Sequence, residues 1–225
     1  MAVVNGYCAI DDVRSQLSDD AARLDLALLE RAVNATSRAI DRYCHRRFWL
    51  DLAPTTRTFR ADEPDVVWID DIVGSADLVV STDEAGDGTF ATTWTRGTDF
   101  DMEPRNVDVV ADGDVVTSYA FWRIVAVGTL RLPVFDRRAG VQVVDRFGWS
   151  SIPDEVTQAA ILKATSLFRR KDAPFGVAGF GDMGVVRITR QDVDVVDLLD
   201  EYVKRRPRRV TYRPQRYSLF HARLT

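Results

Sequence analysis

Arg146-Phe147-Gly148-Trp149-Ser150-Ser151-Ile152-Pro153-Asp154-Glu155 marks the point where one hydrophobic period gives way to another. On its N-terminal side, Val141, Val143 and Phe147 recur at even spacing, and 141–147 reads as a strand. On its C-terminal side a helix is predicted over 153–171. Ser151 is its cap candidate, Pro153 stands near the first turn, and Asp154 and Glu155 face the positive end of the dipole. Val156, Ala159, Ala160, Ile161, Ala164, Leu167 and Phe168 cover more than one face of that helix, so it should be packed on two sides.

Moving upstream, period two continues through 55–149, punctuated by Gly, Asp and Pro. Strands are predicted at 56–60, 66–69, 78–81, 92–95, 121–127 and 141–147, with turns at Asp83-Glu84-Ala85-Gly86-Asp87-Gly88 and Asp112-Gly113-Asp114. Six short strands imply a small sheet or barrel. Ahead of them, Leu26, Leu29, Val33, Thr36, Ile40 and Tyr43 recur at threes and fours, which predicts a long helix over 21–48 with cations His45-Arg46-Arg47 at its negative end. A short helix over 9–18, opened by an aspartate cap, precedes it.

Downstream come a glycine-rich loop over 174–184, a short strand over 185–188 and a last helix over 191–204, with Val195, Leu198, Leu199 and Tyr202 on one side. Pro207 and Pro214 end the periodicity, and 205–225 reads as an extended arm. Each helical part needs an apolar partner, so the two should pack together across the β region. The chain is therefore predicted to be α+β: a helical domain from 1–54 and 150–204, a small β module inserted at 55–149, and a C-terminal arm at 205–225.

The 225 residues are 46% hydrophobic and 28% charged, with a mean hydropathy of −0.16, which describes a folded chain with a sizeable core. Apolar runs such as Val66-Val67-Trp68-Ile69 are far short of the ~20 residues that cross a bilayer. The N-terminus has neither a basic region nor a long apolar one, so a cytoplasmic, membrane-free protein is expected. Cys8 and Cys44 read as small buried hydrophobes in a reducing compartment.

Charge is segregated. Eight of the 30 Lys and Arg residues fall at 204–225, where no Asp or Glu occurs, giving +8. The remaining 22 face all 34 acids over 1–203, a net of −12.

Motifs for chemistry fail on context. Gly179-Phe180-Gly181-Asp182-Met183-Gly184 matches G-x-G-x-x-G, but a helix precedes it and Val-Val-Arg-Ile follows, the reverse of a nucleotide fold. A surface-draped loop anchored by Phe175 and Phe180 is the plainer reading. Asp83 and Asp87-Gly88 resemble the start of a calcium loop, yet Ala85 and Trp94 occupy ligand positions, and a hairpin turn explains the stretch better. His45 and His221 are the sole histidines, too few for a zinc set or for a Ser or Cys nucleophile with its base. Asp70-Asp71 reads as a solvated acidic pair on a β surface. Neither an enzyme nor a cofactor is expected.

The arm combines Arg205, Arg206, Arg208, Arg209, Arg213, Arg216 and Arg223 with Tyr212, Tyr217, Phe220 and Leu224. Cations and apolar anchors together fit either nucleic acid or an acidic groove on a protein partner. The aromatics argue against a merely disordered tail.

The stretch Arg38-Ala39-Ile40-Asp41-Arg42-Tyr43-Cys44-His45-Arg46-Arg47-Phe48 resembles the end of the N-terminal helix in the head-to-tail connector (adaptor) proteins of long-tailed bacteriophages. Arg146-Phe147-Gly148-Trp149, Ile152-Pro153, and Leu167-Phe168-Arg169-Arg170-Lys171-Asp172-Ala173-Pro174-Phe175-Gly176-Val177-Ala178-Gly179-Phe180-Gly181 are similar to that family's central helix and glycine loop. The resemblance runs in order from Tyr7 to about Arg206 and is most specific over 146–190. The long β insertion and the basic arm depart from it.

What it implies is a structural virion protein of the neck, assembled in the host cytoplasm. Such proteins form a homo-oligomeric ring, commonly twelve-fold, under the portal protein. The ring offers a platform to stopper or tail proteins, and genomic DNA passes through its channel without specific binding. In that setting the arm would dock the portal, and Phe175, Gly176, Gly179, Phe180 and Gly181 would form a subunit-interface loop. A nucleic-acid-binding accessory protein using the arm, or a stopper or tail-completion protein, is the alternative.

Overall fold

The computed structural model describes residues 2–17, 25–105, 118–170 and 193–205. Among them run α1 (Ile10–Ser15), α2 (Leu26–Cys44), β1 (Thr55–Phe59), β2 (Val66–Ile72), β3 (Val79–Thr82), β4 (Thr92–Trp94), β5 (Phe100–Glu103), β6 (Phe121–Ala126), β7 (Val141–Asp145), α3 (Asp154–Arg169) and α4 (Val193–Asp200). The fold is α+β, with antiparallel strand pairing throughout the two sheets.

Helix α2 begins where Asp25 accepts hydrogen bonds from the backbone N–H groups of Ala27 (2.9 Å) and Leu28 (3.2 Å). Its buried stripe of Leu29, Val33, Thr36, Ile40 and Cys44 follows the expected period. It stops at His45, whose left-handed backbone (φ 53°) turns the chain out of the helix.

Two caps differ from expectation. Helix α1 is capped at Ala9, whose N–H donates to the Asp12 carboxylate at 2.8 Å, so the aspartate works from inside the first turn. Helix α3 is capped by Pro153, not Ser151, while Asp154 and Glu155 do occupy its first turn.

The helical parts on either side of the β region pack together. Val13, Leu29, Val33 and Ile40 share one core with Val156, Ala160, Ala164 and Phe168 of α3 and with Val195 and Leu199 of α4. Helix α3 is packed against α1, α2 and α4, as its broad apolar surface requires.

The β region forms two sheets, in the orders β1-β7-β3-β4 and β2-β6-β5. A second core holds Ile69, Ile72, Val80, Phe100, Met102, Ile124, Val141, Val143 and Phe147. Among the described residues seven strands stand where six were expected in this region, because Phe100-Asp101-Met102-Glu103 pairs with β6 and buries Phe100 and Met102. The Asp83–Gly88 stretch is a turn between β3 and β4. Buried Asp83 accepts from the N–H groups of Gly86 (2.7 Å), Asp87 (3.3 Å) and Gly88 (2.7 Å).

One irregularity positions the site. In β2, Trp68 pairs with Arg123 but Ile72 pairs with Phe121, so the ladder shifts between them. A bulge of this kind releases carbonyl groups from the ladder. Those of Ile69 and Asp71 face other segments instead.

Candidate functional site

The end of α2, the β2 bulge, the turn after β7 and the chain following α4 converge on a buried ion cluster. Past His45, the side chain of Arg46 turns inward until it is 6% exposed, opposite Asp71 at 3%. Its guanidinium lies 4.8 Å from the Trp122 ring centroid and 5.4 Å from that of Trp149. Trp149 donates from Nε1 to Asp71 Oδ2 at 3.0 Å. The Gly148 N–H donates to the Asp71 carbonyl at 2.7 Å.

Lys204 completes the cluster. Its Nζ donates to Asp71 Oδ1 at 3.1 Å and to the Ile69 carbonyl at 2.7 Å, while its own N–H donates to the Cys44 carbonyl at 2.8 Å. Burial holds both Arg46 and Lys204 below their ordinary pKa values, and the Asp71 carboxylate opposes that shift in each case.

A second layer surrounds the first. Arg47 pairs with Asp51 at 2.5 Å and stacks 4.0 Å from the Trp49 ring centroid. Arg57 of β1 pairs with Asp70 at 2.8 Å. Tyr7 donates its hydroxyl to Asp41 and accepts from the Phe48 N–H at 2.9 Å; burial and Asp41 raise it far above the ordinary phenol range. Phe48, Trp149 and Tyr202 meet edge-on or tilted, with centroids 5.2–5.7 Å apart. Between the layers lies a cavity of about 300 Å³. Arg42, Arg46, Arg47, Arg57 and Lys204 line it together with Asp41, Asp70 and Asp71.

Chemically this is a fastening point. Its carboxylates are engaged by cations, and buried charges held in this way contribute to structure only when paired. Cys8 and Cys44 are free and buried, their thiols pushed up to about 11 and about 12 by desolvation. Among the described residues, no group of three His, Cys, Asp or Glu side chains is placed to hold a metal ion, and no helix is long and apolar enough to cross a membrane.

The reading of Asp70-Asp71 as a solvated pair is corrected for one member. Asp70 has a side chain 48% exposed, but Asp71 is buried. Val67, Ile69 and Asp71 stand at even spacing, so the period of two already placed Asp71 on the buried face. Lys204, counted with the arm's charge, belongs to the body.

Of the arm, Arg205 is exposed and pairs with Asp200 at 2.8 Å. Arg206, Arg208, Arg209, Tyr212, Arg213, Arg216, Tyr217, Phe220, Arg223 and Leu224 lie outside the described residues, as do Phe175, Gly176, Gly179, Phe180, Gly181 and the strand expected at 185–188.

The sequence matches no family model and no curated protein. Its fold is similar to that of a chain in the neck of an empty gene transfer agent (GTA) particle computed with C6 symmetry, at 16% identity and a TM-score of 0.51, covering 92% of this chain and 94% of that one. A chain from the virion of a native gene transfer agent particle is similar at 18% identity and a TM-score of 0.50, with the same coverage. At such identities the likeness is one of architecture: this chain has the α+β fold of those two particle components over nearly its whole length.

Proposed function

We propose that this protein is a structural component of a phage-like virion neck, a head-to-tail connector (adaptor) that forms a ring beneath the portal. The observation that carries the reading is the extent of the fold likeness to a GTA neck chain, which spans more than nine-tenths of both chains and is not confined to a shared submodule. The sequence resemblance at 38–48 and 146–181 points to the same class independently.

In this reading 1–54 and 150–204 form the connector core, 55–149 is an inserted β module, and 205–225 is the arm that docks the portal. A ring closes through two different lateral surfaces, and the β module and the 174–184 loop are the candidates for them. Twelve copies are proposed, and a twelve-membered ring contains six-fold symmetry. Stopper or tail proteins would bind the opposite face. The −12 charge of residues 1–203 would repel the phosphates of passing DNA, which favours transit over adhesion. The ion cluster supports the arm's role, since Lys204 fixes the start of 205–225 to both the helical and the β part.

The test is binding of the purified chain to portal rings from the same particle. Full-length protein should bind and appear as rings at the capsid vertex by electron microscopy. Removal of 205–225 should abolish binding while the circular dichroism of the body is retained. Unchanged binding by the truncated chain would refute the role of the arm, and absence of the protein from the necks of assembled particles would refute the function.

A further inference from the structure

The cavity beside the ion cluster carries an unbalanced charge. Arg46 and Lys204, each with a side chain 6% exposed, share the single carboxylate of Asp71. The Nε of Arg46 stands 3.6 Å from Asp71 Oδ2, beyond hydrogen-bond reach, and is buried with no hydrogen-bond partner among the described residues. The other acids on the wall are already engaged: Asp70 by Arg57, and Asp41 by Tyr7 and Arg38. Arg42 adds a further cation to the same wall.

Two buried cations against one anion leave a positive excess in a medium of low polarity, and the cavity they line is where a further anion could offset it. Guanidinium presents its donors in a planar fork that matches the oxygens of phosphate and carboxylate. The cavity, at about 300 Å³, has room for such a group with some of its water. We propose that this cavity is a binding site for one oxyanion, phosphate or carboxylate, held by Arg46 with Lys204 and Arg42. The site goes beyond the neck assignment and does not rest on it.

The probes are sodium phosphate and sodium acetate, titrated into the full-length chain at one near-neutral pH, with sodium chloride at matched ionic strength as reference and the thermal midpoint as readout. Phosphate or acetate should raise the midpoint along a saturating curve that chloride does not reproduce. The stronger of the two identifies a tetrahedral or a planar ligand. Arg46→Lys, which keeps the charge but loses the fork, should weaken the apparent affinity about tenfold or more. Arg42→Gln should also weaken it, and provides the same test should Arg46→Lys fail to fold. Arg60→Gln, at an exposed residue paired with Asp62 outside the cavity, should leave it unchanged. A response equal to that of chloride, or affinity unaltered in a folded Arg46 or Arg42 variant, would overturn the site.

Discussion

Lys204 and Asp71, separated by 133 positions in the chain, form an ion pair at 3.1 Å with side chains only 6% and 3% exposed. Because Asp71 also faces Arg46, it is the single anion of a three-charge cluster. Its removal therefore strands two buried cations, whereas removal of Lys204 leaves a balanced pair.

Asp71→Asn should cost about 3–5 kcal/mol of folding stability, the usual penalty for an uncompensated buried charge. Lys204→Met should cost less, by about 2 kcal/mol or more, even though it gives up the bond to Ile69. Urea unfolding midpoints of the two variants, followed by circular dichroism, decide the order. Equal losses would mean that Asp71 does not balance both cations.

Gly148→Ala should be among the most damaging single-methyl changes in the chain. Gly148 has φ +125°, and an added Cβ would lie 2.2 Å from the Trp49 carbonyl oxygen and 2.7 Å from the Leu50 Cα, both backbone atoms. Neither can give way as a flexible side chain can. A loss of roughly 2–4 kcal/mol is expected, with altered near-ultraviolet circular dichroism from the neighbouring Trp149. A variant as stable as the parent would contradict the backbone path drawn for this turn.

Tyr7→Phe removes a hydroxyl that serves Asp41 and the Phe48 N–H. With the Phe48 group buried and left without an acceptor, a loss of about 1–3 kcal/mol follows, again by urea unfolding. The ring remains packed edge-on against Phe48, so native secondary structure should persist.

Stability should fall in alkali. The Cys44 thiol, ordinarily near 9.0, is raised to about 12 in the fold, so between those values the unfolded chain releases a proton that the folded one retains. Its contribution is whole below pH 9 and is lost as pH rises toward 12. Cys8, raised to about 11, adds to the same trend. Lys204 acts in the opposite sense: its folded pKa lies below 10.5, so relief of its buried charge favours the fold as pH approaches that value. Unfolding free energies from urea titrations at pH 7 to 11 should decline more gently in Cys44→Ala than in the parent, and the two slopes should differ by no more than about 1.4 kcal/mol per pH unit.

Local pattern made most of the elements legible. The stripe Leu29, Val33, Thr36, Ile40 placed α2, and the change of period at Gly148-Trp149 placed the junction of β7 with α3. Strand β5 escaped because Phe100-Asp101-Met102-Glu103 is four residues long and half acidic, and its strand character comes from pairing with β6. The ion cluster escaped for a different reason. Arg46, Asp71, Trp149 and Lys204 meet only after the β region has folded back on the helices, and no spacing along the chain encodes that meeting. Asp71 alone left a local trace, its even spacing from Val67 and Ile69.

The double tie at Lys204 determines how force would travel. Tension applied to the segment beyond it enters the body at one residue, whose backbone grips the last turn of α2 and whose side chain grips the bulged strand. Such a load would be shared between the helical core and the sheets from its first point of entry, and would not fall on either one alone.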